Sequence, residues 1–243
     1  MTILNQQYNY LFVHVPKAAG KSIKSHLMNH TFGFARRQKL QLNSALGTLS
    51  AYAGSSPIPG KLIPPVLGPG IDPRVQEYCK KNSIRSTAHL RADQLHAILG
   101  DEQYRAMFSF AFARNPWDRC LSAYFYFRRK VFHPLHTLAM AHSFEGFLLE
   151  QEKNGMPHIG QQVHWMYRNE EEKLVDFIGK VENIQSDMAY VCDRIHLNSG
   201  KFSVQTNVSE GRGRDYRPYY TNQAIDSVAR SMRSDIELLG YSY

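Results

Sequence analysis

Cysteine is scarce in this chain: three residues in 243, Cys79, Cys120 and Cys192. The number is odd and no C-x-x-C spacing occurs, which excludes a disulfide framework and a cysteine-built zinc motif and predicts buried, reduced thiols. The first seven residues, MTILNQQ, hold no long apolar run, and strand-like sequence follows at once. With no room for a signal peptide or a membrane anchor, a cytoplasmic chain is expected. There is no run of basic residues and no RNA-binding motif, so nucleic acid is a minor reading. No repeat and no heptad seam appears, so the oligomeric state is not legible. Eleven histidines are present, but His133, His136, His142, His158 and His164 have no cysteine or carboxylate at ligand spacing, and no metal is expected.

What the chain does have is apolar content, at 43%, and positive charge, at a formal +8. A chain of this length buries one substantial core, so residues 1–243 are expected to form a single domain. The charge suits a polyanionic ligand, although charge alone would equally suit nucleic acid or a membrane surface.

Two segments carry the chemistry. In Tyr10 to Ile23, YLFVHVPKAAGKSI, an apolar run stops at Pro16 and passes through a small, basic turn into a helical pattern. Unpaired N–H groups and the macrodipole at such a helix start favour an anion, and small residues let a phosphate approach. Pro16, Lys17, Ala18, Ala19, Gly20, Lys21, Ser22 and Ile23 are therefore the first candidate binding residues. Gly20-Lys21-Ser22 ends like the nucleotide-triphosphatase loop G-x-x-x-x-G-K-[ST], but Val15 stands where its first glycine belongs, leaving half a motif. The second segment, Phe108 to Tyr124, FSFAFARNPWDRCLSAY, repeats the strand, polar turn and helix, with Pro116 as a first-turn residue. Arg114 at the strand end and Ser122 two turns into the helix are placed to hold one phosphate. Two anion corners on two strands predict a ligand with two separate phosphate groups.

The order FVHVPKAAGKSI, TAHL, FAFARNPWDRCLSAYFYF, VDFIGKVENI, YRPYYT, DIELLGY resembles the family 2 sulfotransferases, the branch containing the Golgi carbohydrate sulfotransferases, from about Tyr10 to the C-terminus. The resemblance implies that the first corner, usually P-K-T-G-G-T-S, holds the 5′-phosphosulfate of 3′-phosphoadenosine-5′-phosphosulfate (PAPS), and that the R-N-P-x-D-R-x-x-S-x-Y corner holds its 3′-phosphate. This chain departs from it with Ala18-Ala19 for Thr-Gly and Lys21 for Thr. The resemblance implies that His89 is the general base and that Lys17 stabilises charge on the leaving phosphate; a histidine near its reference pKa accepts a proton without strong tuning. It puts Ile178 to Asn183, with Lys180, beside the adenine, and implies a metal-independent reaction. Because Golgi members carry an N-terminal anchor, its absence implies a bacterial, cytoplasmic enzyme.

Short strands near 10–15, 85–88, 108–113 and 174–178 alternate with helical patterns at 21–30, 73–81, 91–99, 117–130, 144–151, 184–195 and 222–239. This predicts an α/β fold, a P-loop-like parallel sheet with helices on both faces, its ligand at the carboxyl ends of the strands. Residues 43–73, rich in Gly, Pro and Ser, are expected to form an acceptor-side loop or lid. Arg119 is assigned a structural role, paired with a facing carboxylate. Trp117 and Tyr124 to Phe127 are assigned to the core. Arg212, Arg214 and Arg217, in GRGRDYRPYY, are candidates for closing over the donor. The leading reading is a PAPS-dependent sulfotransferase acting on a hydroxyl, by resemblance that of a carbohydrate; a lipid, a small metabolite or a peptide tyrosine stays open. A P-loop kinase and a non-catalytic nucleotide-binding module are the alternatives.

Overall fold

The computed structural model describes residues 2–5, 7–31, 73–84, 89–198, 202 and 212–243. The strand expected at 85–88, the 43–73 segment up to residue 72, and Gly211 lie outside the described residues. In chain order the elements are β1 (Ile3–Asn5), β2 (Tyr10–Val13), α1 (Gly20–Thr31), α2 (Pro73–Lys81), α3 (Ala92–Leu99), α4 (Asp101–Arg105), β3 (Phe108–Ala113), α5 (Pro116–Arg129), α6 (His136–Ala141), α7 (Phe144–Lys153), α8 (Val163–Met166), β4 (Tyr167–Arg168), β5 (Glu172–Lys173), β6 (Phe177–Lys180), α9 (Ile184–Arg194), α10 (Asn222–Ser231) and α11 (Arg233–Leu239).

The central sheet has the order β1-β2-β3-β6. β2 pairs parallel with β3, and β3 with β6. The expected parallel sheet is thus present, and it gains an edge strand that was not expected: β1 runs antiparallel to β2, with Ile3 opposite Phe12. Residues 6–9 are too few for a parallel crossover and enough for a hairpin return. The Tyr8 amide donates to Asn5 Oδ1 at 3.0 Å, and Asn9 takes a left-handed φ of 49°.

Alternation along β2 and β3 assigns the two faces. Tyr10, Phe12, Phe110 and Phe112 pack with Ile23 and Leu27 of α1 and with Ile184, Met188 and Val191 of α9. Leu11, Val13, Ala111 and Ala113 share the other cluster with Val75, Leu95 and Leu99 of α2 and α3. The fold is thus α/β, with helices on both faces of a sheet whose inner strands are parallel. Beyond the sheet, Trp117, Leu121, Tyr124 and Phe127 of α5 join Phe147 and Val228 in a separate apolar cluster.

Two boundaries differ from the periodic pattern. β6 starts at Phe177, three residues later than expected, because Asp176 Oδ2 accepts the Ser109 amide at 2.7 Å and ties off the strand entry. Leu174 and Val175 stay buried in the core without joining the ladder. The helix expected over 222–239 breaks at Met232, where Gln161 Oε1 accepts the Ser234 amide at 2.7 Å and so caps a second helix.

Gly179 lies where a Cβ would stand 2.5 Å from Phe112 Cε1. Its smallness admits the aromatic ring of the neighbouring strand. Gly179→Ala is expected to destabilise the fold by about 1–3 kcal/mol, the usual cost of overpacking, in urea unfolding. Recovery in the Gly179→Ala/Phe112→Leu double variant would identify the ring as the cause.

Candidate active site

The carboxyl ends of β2 and β3 open into the two predicted corners. In the first, Lys17 and Ala19 take left-handed φ values of 67° and 54°. Alternation of left-handed residues turns successive backbone N–H groups toward one side, which forms an anion-binding concavity. The Ser22 and Ile23 amides close onto Ala19 O at 3.0 and 3.2 Å, starting α1. The side chains of Ala18 and Ile23 are buried in the core. Pro16 is half-buried, Ser22 buried and Lys21 exposed. Gly20 is tight because the His14 ring lies on it, 1.9 Å from where a Cβ would stand.

Lys17 extends over the ring of Tyr126, its Nζ 4.2 Å from the centroid. Among the described residues no carboxylate pairs with it. Burial, reinforced by Arg114, Lys21, Arg129 and Arg212, pulls its pKa down to about 7. Tyr126 therefore belongs to the site and not only to the core as expected. The signal was in the sequence: Asp118, Ser122 and Tyr126 recur at i, i+4 on one face of α5.

In the second corner Asn115 caps α5, its Oδ1 accepting the Trp117 amide at 3.0 Å ahead of Pro116. Asp118 is bound by two arginines: Arg114 Nε at 2.6 Å, and Arg212 on its other oxygen. The Nε of Arg212 is buried without a hydrogen-bond partner among the described residues. Burial lowers the pKa of both guanidinium groups to about 10. Asp118 as a clamp was missed in the sequence, although it lies at i+4 from Arg114. Ser122 is buried one turn beyond it.

Arg119 joins the corners. Its Nε donates to Pro16 O at 3.0 Å, and its Nη1 donates to Ile159 O and Gly160 O at 2.7 and 2.9 Å. The structural role holds, but the partners are carbonyls in place of the expected carboxylate; Asp235, the nearest candidate, is engaged by Gln162 and the Val163 amide. The other arginine candidates do not converge. Arg214 is exposed, and Arg217 is also exposed and turns to Asp215 at 3.5 Å. Lys180 faces the C-terminal residues, its Nζ 4.6 Å from the Tyr241 ring centroid.

His89 stands beside the first corner, its Nδ1 3.3 Å from His14 O. The residue is exposed on one side, yet burial of the ring lowers its pKa and favours the neutral form. The Nδ1–H tautomer, donating to that carbonyl, leaves Nε2 as a proton acceptor.

Among the described residues no group of three His, Cys, Asp or Glu side chains gathers as a metal centre would require, and no helix is long and apolar enough to cross a membrane. Half-buried cations gather beside the ends of β2 and β3 of this α/β fold, an arrangement suited to an anion. The chain belongs to the sulfotransferase family, whose model matches residues 1–242. No curated protein and no solved structure matches it.

The Lys17 shift gives a signed prediction. Between pH 7 and the ordinary lysine value the unfolded chain holds a proton that the folded one lacks, so this group makes stability rise with pH. Lys17→Met should stabilise the ligand-free protein at pH 6.5, on the order of 1–2 kcal/mol, and the difference should shrink by pH 9.5. Urea unfolding at the two pH values measures it.

Proposed function

We propose that this sulfotransferase takes PAPS as its donor and transfers the sulfuryl group to a hydroxyl, that of a carbohydrate. The observation that carries the donor reading is the set of half-buried cations on two linked corners, where among the described residues Lys17 has no carboxylate and Arg212 Nε no hydrogen-bond partner. A ligand with two separated anionic groups meets both needs, and a 3′,5′-substituted nucleotide has them. In this reading the turn from Pro16 to Ser22 holds the 5′ end. Arg114, Ser122 and Arg212 hold the 3′-phosphate, with Asp118 keeping both guanidinium groups in place. PAPS supplies an activated sulfuryl group.

His89 Nε2 accepts the proton of the acceptor hydroxyl as its oxygen bonds to sulfur. Lys17, drawn to its charged form by the bound anion, stabilises the charge that develops on the departing phosphate oxygen. Tyr126 keeps the ammonium at the corner through its ring face. Carbohydrate as the acceptor class rests on the likeness to the family's carbohydrate-specific branch. The exposed Lys21 and the buried Val15 give the kinase alternative no support.

Calorimetry without metal should show selective binding of 3′-phosphoadenosine-5′-phosphate (PAP) over ADP and ATP; a magnesium-dependent preference for ATP would reject the donor. Arg114→Ala should weaken PAP far more than AMP, which lacks the 3′-phosphate, and equal loss for both would remove Arg114 from that subsite. In an acceptor screen with PAPS, His89→Ala should lower turnover by about 10²–10⁴-fold with near-normal PAP affinity. Retained turnover would place the base elsewhere, and absence of product with every acceptor would favour a binding module.

A further inference from the structure

The reading of His89 as the base leaves His14 unused, although His14 touches both halves of the site. The two imidazole rings are stacked, with centroids 4.6 Å apart and planes 27° apart. The Cδ2–Nε2 edge of the His14 ring meets Gly20, the first residue of α1: a Cβ there would stand 1.9 Å from both atoms. The segments bearing the two rings are also fixed to one hydroxyl. The fully buried Thr2 donates through Oγ1 to Leu90 O at 3.3 Å and accepts the His14 amide at 3.5 Å.

We propose that His14 is a positioning residue, a spacer whose ring sets the plane of His89 and links it mechanically to the donor corner. This rests on the assignment of His89 as the base. A single hydrogen bond from Nδ1 to the His14 carbonyl selects the tautomer but leaves the ring free to turn about that bond. Stacking against a second ring removes the rotation and aims Nε2. Since the same ring bears on the start of α1, any shift of the corner when it takes up an anion moves His14, and His89 with it. Glycine at position 20 is thereby explained by the ring above it; its φ is not among the left-handed ones.

The test uses ¹⁵N-labelled full chain and PAP as the probe, with His89→Ala identifying the His89 imidazole signals. In the wild type, His89 should be the neutral Nδ1–H tautomer, with ring protons shifted upfield by the stacked neighbour, and saturating PAP should move these signals. His14→Ala should lose both the upfield shift and the response to PAP while still binding PAP by calorimetry. His14→Phe, which keeps a ring but no nitrogens, should retain both and serves alone if the alanine variant fails to fold. An unchanged shift and PAP response in His14→Ala, or their loss in His14→Phe, would overturn the spacer role. Failure of every protein to bind PAP would instead reject the donor, and the upfield shift would still judge the stacking.

Discussion

Arg119 is the constraint on which the site depends. A guanidinium 1% exposed reaches from the helix of the second corner to the carbonyl of Pro16 in the first, and to two further carbonyls at Ile159 and Gly160. Its planar fork suits divergent carbonyl acceptors, and a lysine ammonium would not span them. Burial lowers its pKa, opposed chiefly by the nearby Asp235. One Nη atom remains without a hydrogen-bond partner, so geometry is kept at the expense of complete polar satisfaction. Without this link the corners would be two independent turns on adjacent strands.

Around that link the charge is arranged unevenly. Asp118 answers two arginines, whereas among the described residues Lys17 meets the face of Tyr126 and no carboxylate. The backbone is uneven as well, because Lys17 and Ala19 hold left-handed conformations that non-glycine residues rarely adopt. Strain and unbalanced charge in the same few residues mark a place where local rules yield to function. Left-handed non-glycine residues occur elsewhere too, at Asn9, Ser83, Met156, Asn169, Glu170 and His196, whereas the sheet and α5 follow the local rules, with apolar faces alternating on β2 and β3 and an asparagine cap followed by proline opening α5.

Much of this was legible in the sequence because it is local. The strand, turn and helix of each corner appear in adjacent residues, and Pro73–Lys81 was delimited to the residue. What escaped depends on neighbours distant in the chain. The antiparallel β1 follows from a short connection more than from its own pattern, and the late start of β6 depends on Asp176 meeting Ser109. Gly20 and Gly179 each admit an aromatic or imidazole ring from another segment, which no local pattern shows. Arg214 and Arg217 share a basic stretch with Arg212, yet only Arg212 reaches Asp118, a selection made by tertiary packing. Tyr126 and Asp118 were readable in principle, since the row they form with Ser122 is a helical repeat.

The half-answered Lys17 makes the ionic composition of the medium a structural variable. Added salt of any kind screens the repulsion among Lys17, Lys21, Arg114, Arg129 and Arg212. Compact polyvalent anions such as sulfate or phosphate would go further by occupying the concavity, raising apparent stability while competing with the nucleotide. Two buffers of equal ionic strength, one chloride and one phosphate, would therefore present two different proteins to a melting experiment or an affinity measurement.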